Sequence, residues 1–323
     1  MKTIAAVGIG RMGRGIAICF AFSGHNVQLV DLKKRDKTDF TKLIREAYED
    51  IDNTLSMFQK FEMLTHSEKE KVLKRISFHS LYESKSVLKN IDIVFEGVSE
   101  TIEVKKNALS FISKFSPKNT IIASTTSTIL SNDLQKYVQH PERFLNAHWL
   151  NPAFLVPLVE LSPGDKTDKN ITKNLKQILE QIGKVPIVCS ASPGYIVPRI
   201  QALAMNEAAR LVEEGVASAE DIDKATKYGF GFRFAILGLL EFIDWGGGDI
   251  LYYASQYMTK ATGQDRFSAP KIINDNMEKN RNGLKDGKGF LNYENLDIKK
   301  YQEYRLLAFV EMLKHLDKMP PKG

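Results

Sequence analysis

The chain carries two hydrophobic patterns, and they divide it. Short apolar runs recur through the first 190 residues: 4–7, "NVQLVD" (26–31), "DIVFEG" (92–97), "NTIIASTTST" (119–128), "RFLNAHWL" (143–150), "VPLVELS" (156–162) and "VPIVCS" (185–190). Runs this short, bounded by polar turns, predict buried β-strands. Between them, apolar residues at three- and four-residue spacing predict amphipathic helices. One ends at Phe22 with Gly24 placed to stop it; others are "TIEVKKNALSFISKF" and "DKNITKNLKQILEQIG", the last closed by Gly183. Strand and helix in alternation predict a doubly wound α/β sheet with ligands at the strand C-terminal ends. The region 33–79 departs from this, being helical and highly charged. "FTKLIREAYEDIDNTLSMFQKFEML" and "SEKEKVLKRI", the latter with Ser67 as its expected N-cap, predict a helical hairpin inserted after the second strand.

After Ser190 the alternation stops. "PGYIVPRIQALAMNEAARLVEEG" reads as a long helix and "SAEDIDKATKYG" as a short one with Ser218 and Asp221 in a capping pattern. "FAILGLLEFIDW", "DILYYASQYM", "APKIINDNMEKN" and "IKKYQEYRLLAFVEMLKHL" follow as helices. The expected fold class is therefore α/β, a Rossmann-type doubly wound sheet with an inserted helical hairpin, followed by an all-α C-terminal domain. The expected division is 1–190 for the sheet domain and 191–323 for the helical domain. The helical part has more large apolar faces than one small core needs, so a homodimer is expected.

Composition narrows the class only a little. At 323 residues, two domains are expected, and 43% hydrophobic with 26% charged residues is ordinary for a globular chain. No apolar run approaches the roughly 20 residues of a membrane helix, and glycines interrupt the N-terminus too early for a secretory core. Cys19 and Cys189 lie in apolar surroundings and read as reduced thiols, so a cytoplasmic location is expected. The net charge of +6 suits a polyphosphate ligand. No Lys/Arg block is long enough to favour nucleic acid. The expected partner is a small-molecule substrate, with no membrane, nucleic acid or metal.

The first strand runs into "GIGRMG", with Gly8, Gly10 and Gly13 in G-x-G-x-x-G spacing, Arg11 and Met12 between them, and Asp31 18 residues after Gly13 (31 − 13) at the end of the second strand. Gly8 permits a tight turn, Gly10 lets backbone approach a pyrophosphate, and Gly13 lets helix and strand pack closely. The helix N-terminus then meets the phosphates. Asp31 suits ribose hydroxyls and repels a 2′-phosphate, which selects NAD; Lys33, Lys34 or Arg35 could soften that selection. Glu96, Ser99, Glu100, Ser127, Thr128, His148 and Asn151 fall at strand ends. His148 and Glu160 read either as a pair or as ordinary strand-end residues.

The ordered motifs "VGIGRMGRGIA", "FEGVSETIEVKKNAL", "ASTTSTI", "HWLNP", "PLVELSPG", "SPGYIVPRI", "EEGVASAEDIDKATKYGFG" and "GKGFLNY" resemble the L-3-hydroxyacyl-CoA dehydrogenase family over nearly the whole chain. The resemblance implies NAD-dependent interconversion of a 3-hydroxy and a 3-keto compound in a homodimer. It implies His148 as the catalytic histidine of "H-x-x-N-P", where Asn151 also falls, Glu160 as its partner, and Ser127 on the substrate oxygen. Glu100 and Lys105 match residues near the nicotinamide and its ribose. An imidazole changes charge near neutral pH, so it can take a hydroxyl proton, and a carboxylate stabilises the imidazolium formed. Ser127 has neighbours, Thr126 and Thr128, that offer the same hydroxyl.

Two positions depart from the family. Pro198 stands where the family has a substrate-binding asparagine and donates nothing; it is tolerable if the helix begins near Ile196. Arg233, in "GFGFRFAILGLLEFIDWGGGD", resembles the branch acting on free hydroxy acids, the lambda-crystallin-like gulonate dehydrogenases and the carnitine dehydrogenases. Its fork suits a substrate carboxylate, or else a salt bridge to Glu241 or Asp244. The readings are thus an acyl-CoA dehydrogenase, a dehydrogenase of a free 3-hydroxy carboxylate, or a crystallin-like protein that binds NAD without turnover.

Overall fold

The computed structural model describes residues 1–321. They divide by contact into two compact units, one of residues 1–204 and one from Met205 onward, each described by itself. The first is built on an eight-stranded sheet. Its strands are β1 (Thr3–Val7), β2 (Asn26–Val30), β3 (Ile76–His79), β4 (Ile93–Glu96), β5 (Ile121–Ser124), β6 (Phe144–Trp149), β7 (Leu158–Pro163) and β8 (Val185–Val188). They lie side by side in the order β3-β2-β1-β4-β5-β6-β7-β8, all neighbours parallel except β6 and β7. The helices are α1 (Arg11–Phe22), α2 (Lys37–Lys60), α3 (His66–Lys74), α4 (Leu81–Leu88), α5 (Ile102–Phe115), α6 (Ser131–Leu134) and α7 (Lys169–Gln181). Two apolar clusters form the core, one around Ile4, Phe20, Leu29, Phe95 and Trp149, the other around Val7, Val94, Leu109 and Phe144.

The doubly wound sheet, the inserted hairpin of α2 and α3, and the following helical region agree with the sequence reading. Two features do not. The hairpin's second helix is capped by Thr65, not Ser67: Thr65 and Glu68 form a reciprocal capping box, and Ser67 lies inside the helix. The segment read as wholly helical ends in β3, with α4 after it. β3 is four residues long at the sheet edge, and all four are half-buried, so no apolar run announces it.

The turn from β1 to α1 is steric in origin. Gly8 has φ +106°, and a Cβ there would lie 2.5 Å from the Gly97 carbonyl oxygen at the end of β4. A Cβ on Gly13 would sit 2.0 Å from the Gly8 carbonyl oxygen. Gly10 is different: nothing lies within 4 Å of the position its Cβ would take. β1 and β4 adjoin in the sheet while the chain leaves them in opposite directions, and the crevice at such a switch point is where dinucleotides bind.

The remaining helices are α8 (Val197–Glu213), α9 (Ala219–Ala225), α10 (Phe232–Ile236), α11 (Leu239–Gly246), α12 (Gly248–Thr262), α13 (Lys271–Glu278) and α14 (Ile298–His315). Ser218 caps α9 through the Asp221 N–H. A π-helical segment, Thr226–Gly231, continues α9 into α10, so the glycines of "GFGF" do not interrupt the helix. The break falls later, at Leu237 and Gly238, and splits the expected helix "FAILGLLEFIDW". Pro198 occupies the second position of α8, where no intrahelical N–H is required of it. Neither α8 nor α14 buries a single residue. Leu203 (69%), Met205 (67%), Tyr257 (75%) and Leu307 (56%) are exposed.

The glycine geometry separates two substitutions. Gly13→Ala forces the turn away from the helix and should cost about 1–3 kcal/mol, as overpacking does, or roughly 2–4 °C of melting temperature per kcal/mol. Gly10→Ala should melt with the unaltered protein. Thermal unfolding of both checks this.

Candidate active site

β6 and β7 are antiparallel, and their register sets His148 directly opposite Glu160. Residues opposed in this way share a face of the sheet. His148 Nδ1 and Glu160 Oε2 are 2.7 Å apart, with both side chains buried. The other carboxylate oxygen, Oε1, accepts from the N–H groups of Ile196 and Val197, each at 2.9 Å. Burial alone would raise the Glu160 carboxyl; the hydrogen bonds from His148, Val197 and Ile196 outweigh it and hold the group below its ordinary value. Glu160 is therefore a carboxylate at neutral pH. It takes Nδ1–H from the ring, which leaves Nε2 as the nitrogen that can trade a proton. Nε2 makes no hydrogen bond among the described residues.

One face of the imidazole is covered. Tyr195 stacks on His148 with ring centroids 5.1 Å apart and planes 10° from parallel. Its hydroxyl donates to the Thr126 carbonyl oxygen at 2.9 Å and accepts from Asn146 Nδ2 at 3.0 Å. Burial pushes the phenol well above its ordinary value, so it stays protonated as a donor. Tyr195 has φ +46°, a costly conformation for a bulky residue that persists only where surroundings dictate it. The sequence reading passed over Tyr195. The signal was available, since the family pattern "PGF" reads "PGY" here.

The 126–128 loop is organised from the other side by Glu100. Glu100 Oε1 accepts from the Thr126 hydroxyl, the Ser127 N–H (2.9 Å), the Thr128 N–H (3.2 Å) and the Thr128 hydroxyl (3.1 Å). Burial would raise the Glu100 carboxyl, but the Thr126 hydroxyl and then the Lys105 charge keep it below its ordinary value. Thr126 and Thr128 thus spend their hydroxyls on Glu100. Ser127 has no side-chain partner among the described residues, so it is the one hydroxyl of the three left free for a ligand.

Lys105 is buried among protein groups. Its ammonium lies 3.0 and 3.2 Å from the two Glu96 oxygens and 3.3 Å from Glu100 Oε2, which uses its three donors. Asn151 is exposed beyond β6. Arg233 forms neither expected salt bridge. Its Nε donates to the Gly229 carbonyl oxygen at 2.9 Å and its guanidinium lies 4.9 Å over the Phe242 ring. Glu241 instead pairs with Arg305, while Asp244 is buried and accepts from the Phe290 and Leu291 N–H groups. Cys19 is buried, which pushes its thiol up to about 11, whereas Cys189 is only half-buried.

A cleft of about 490 Å³ opens at the ends of β1, β2 and β4, lined by Gly8, Gly10, Asp31, Arg35, Gly97 and Ser99 among others. The α1 N-terminus has no acidic residue in its first turn, and Gly10 leaves space above its backbone. Arg11 is exposed and Met12 half-buried in that turn. These residues fit a dinucleotide pyrophosphate.

A cleft that fits a dinucleotide and a histidine paired with a buried carboxylate both belong to this one sheet. The model described as "3-hydroxyacyl-CoA dehydrogenase, NAD binding domain" matches residues 3–192, and "3-hydroxyacyl-CoA dehydrogenase, C-terminal domain" matches 194–293. The mitochondrial hydroxyacyl-coenzyme A dehydrogenase of Sus scrofa is 31% identical over 295 residues, covering 91% of this chain and 92% of that protein. The L-carnitine dehydrogenase of Oceanobacillus iheyensis is 33% identical over 251 residues, 77% of each. A crystal structure of the 3-hydroxyacyl-CoA dehydrogenase from Archaeoglobus fulgidus superposes with TM-score 0.77 at 31% identity, covering 99% of this chain and 100% of that one. The chain is an NAD-dependent oxidoreductase acting on CH–OH groups and belongs to the 3-hydroxyacyl-CoA dehydrogenase family.

Tyr195→Phe keeps the stacked ring but strands the Thr126 carbonyl and one Asn146 donor. Unpaired buried groups cost about 1–3 kcal/mol. A lower melting temperature with a lower turnover number is expected, checked by calorimetry and NADH oxidation.

Proposed function

We propose that the chain interconverts an L-3-hydroxyacyl-CoA and the corresponding 3-ketoacyl-CoA, with His148 as general base and acid. The observation that carries this is the 2.7 Å contact of His148 Nδ1 with the buried Glu160 carboxylate. In the oxidation direction, Nε2 takes the hydroxyl proton and Glu160 stabilises the imidazolium; in reduction the proton returns. NAD, bound in the cleft, supplies the hydride acceptor. Ser127 holds the substrate oxygen with the hydroxyl its neighbours leave free, and Asn151 borders the reacting group. Gly8, Gly10, Arg11, Met12, Gly13 and Asp31 hold the cofactor. Glu100 and Lys105 would lie near its nicotinamide and ribose, with the Lys105 ammonium holding Glu100 in place.

A second reading, a dehydrogenase of a free 3-hydroxy carboxylate, is favoured by Pro198 and Arg233. Pro198 removes the family's substrate donor, and Arg233 is exposed with its terminal nitrogens outside any ion pair among the described residues. The likeness to an L-carnitine dehydrogenase supports it. In either reading, residues 1–190 bind NAD and 191–323 serve substrate and dimerisation. The unburied apolar faces of α8 and α14 support a homodimer, and two free thiols suit the cytoplasm.

The deciding assay follows NADH oxidation with acetoacetyl-CoA against free 3-keto acids at matched concentration. The first reading expects the thioester to be strongly preferred; preference for a free acid transfers the assignment to the second. Turnover of neither, with NADH still bound, leaves a dinucleotide-binding protein. His148→Gln should lower turnover about 10²–10⁴-fold, the contribution of a general acid–base group, with NADH affinity little changed. Retention of most of the turnover removes His148 from the mechanism.

A further inference from the structure

The ribose end of the cofactor cleft contains an ion pair that the dinucleotide motif does not require. Asp31 follows β2 and is almost buried, at 5% exposure. An aspartate there ordinarily offers free oxygens to ribose hydroxyls. Here both oxygens already have partners: the Lys33 N–H donates to Oδ1 at 3.2 Å and Arg35 Nε to Oδ2 at 2.5 Å. The turn that presents them is held at its far end, where Asp36 caps α2 through the Asp39 N–H.

Arg35 commits only Nε to this contact. Its terminal nitrogens make no hydrogen bond among the described residues, and Arg35 and Lys33 both line the cleft beside Asp31. The three side chains together carry one net positive charge (+2 − 1). A 2′-phosphate entering here meets a neutralised carboxylate and an open guanidinium fork instead of a lone anion. Arginine forks match phosphate geometry with two parallel bonds.

We propose that Arg35 is a specificity-determining residue that cancels the Asp31 charge and admits a 2′-phosphorylated dinucleotide, so that the cleft accepts NADP(H) as well as NAD(H). The inference rests on the cleft being the dinucleotide site but not on which substrate is turned over. Arg35 acts in two ways. Paired with Asp31, it removes the repulsion that would exclude the phosphate. With Nε still on Asp31, its two terminal nitrogens are left to bind the phosphate.

The test is a binding titration without substrate, following the fluorescence of NADH and of NADPH on the full chain. For the unaltered protein the two dissociation constants should lie within about tenfold of each other, or about 1.4 kcal/mol. Arg35→Gln should widen their ratio by at least another factor of about ten, through weaker NADPH. Arg35→Lys, which keeps the charge without the fork, should fall between. NADH binding with no detectable NADPH binding overturns the proposal and leaves the cofactor assignment intact. An Arg35→Gln ratio equal to that of the unaltered protein also overturns it. Failure of the unaltered protein to bind either dinucleotide would overturn the cofactor site itself.

Discussion

A carboxylate without access to water holds three parts of the first unit together. Glu160 sits on β7, binds the histidine of β6 with one oxygen, and receives two backbone N–H groups at the entry to α8 with the other. A buried charge is tolerated only when it is paired and hydrogen-bonded, and losing one partner costs far more than the pair contributes. The Glu160 contacts are therefore mutually dependent. They set the distance between β6 and the 196–197 backbone, and with it the place of Tyr195, whose ring lies on His148. The imidazole is fixed by an anion at Nδ1 and by a stacked phenol on one face, which leaves Nε2 as its free polar atom.

A second buried charge cluster does the same for the 126–128 loop. Lys105 on α5 joins Glu96, at the end of β4, to Glu100 in the β4–α5 connection, and Ser124 at the end of β5 donates to Glu96 at 2.5 Å. The charges are two acidic and one basic, so Glu100 keeps anionic character and attracts the loop's donors. It collects two hydroxyls and two N–H groups of the loop, and the Ser127 hydroxyl is the remainder. The choice among Thr126, Ser127 and Thr128 is thus decided by hydrogen-bond accounting, which spacing alone does not contain.

The parts of the fold written in strong periodicity were legible. β1, β2, β4 to β8, the α2–α3 hairpin and the helical second half follow from apolar runs and from three-and-four spacing. β3 was not, because an edge strand of four half-buried residues has neither an apolar run nor a clean alternation. The cap of α3 shifted by two residues because Thr65 and Ser67 have equal capping chemistry, and Glu68 in register with Thr65 decides between them. At the site, His148 and Glu160 could be named from motifs but not measured as a pair. Arg35 could be named beside Asp31 from the sequence, but its bond to Asp31 and the stacking of Tyr195 on His148 are contacts that no linear pattern expresses. The use of all three Lys105 donors by Glu96 and Glu100 is likewise a matter of surroundings and not of motif.

The antiparallel step in an otherwise parallel sheet explains why histidine and glutamate meet at all. Residues 150–157 join β6 to β7, too few for the crossover of a dozen or more residues that a parallel return requires. The chain must turn back along β6, which brings the third residue of β7 opposite the fifth of β6. Because side chains alternate faces, a register slip of one residue would send Glu160 to the other side of the sheet. It would also bury a carboxylate away from the imidazole and the two N–H groups that compensate it. The register is thus held by the same charge that serves the site, and selection for a stable sheet and for a paired histidine act on one residue.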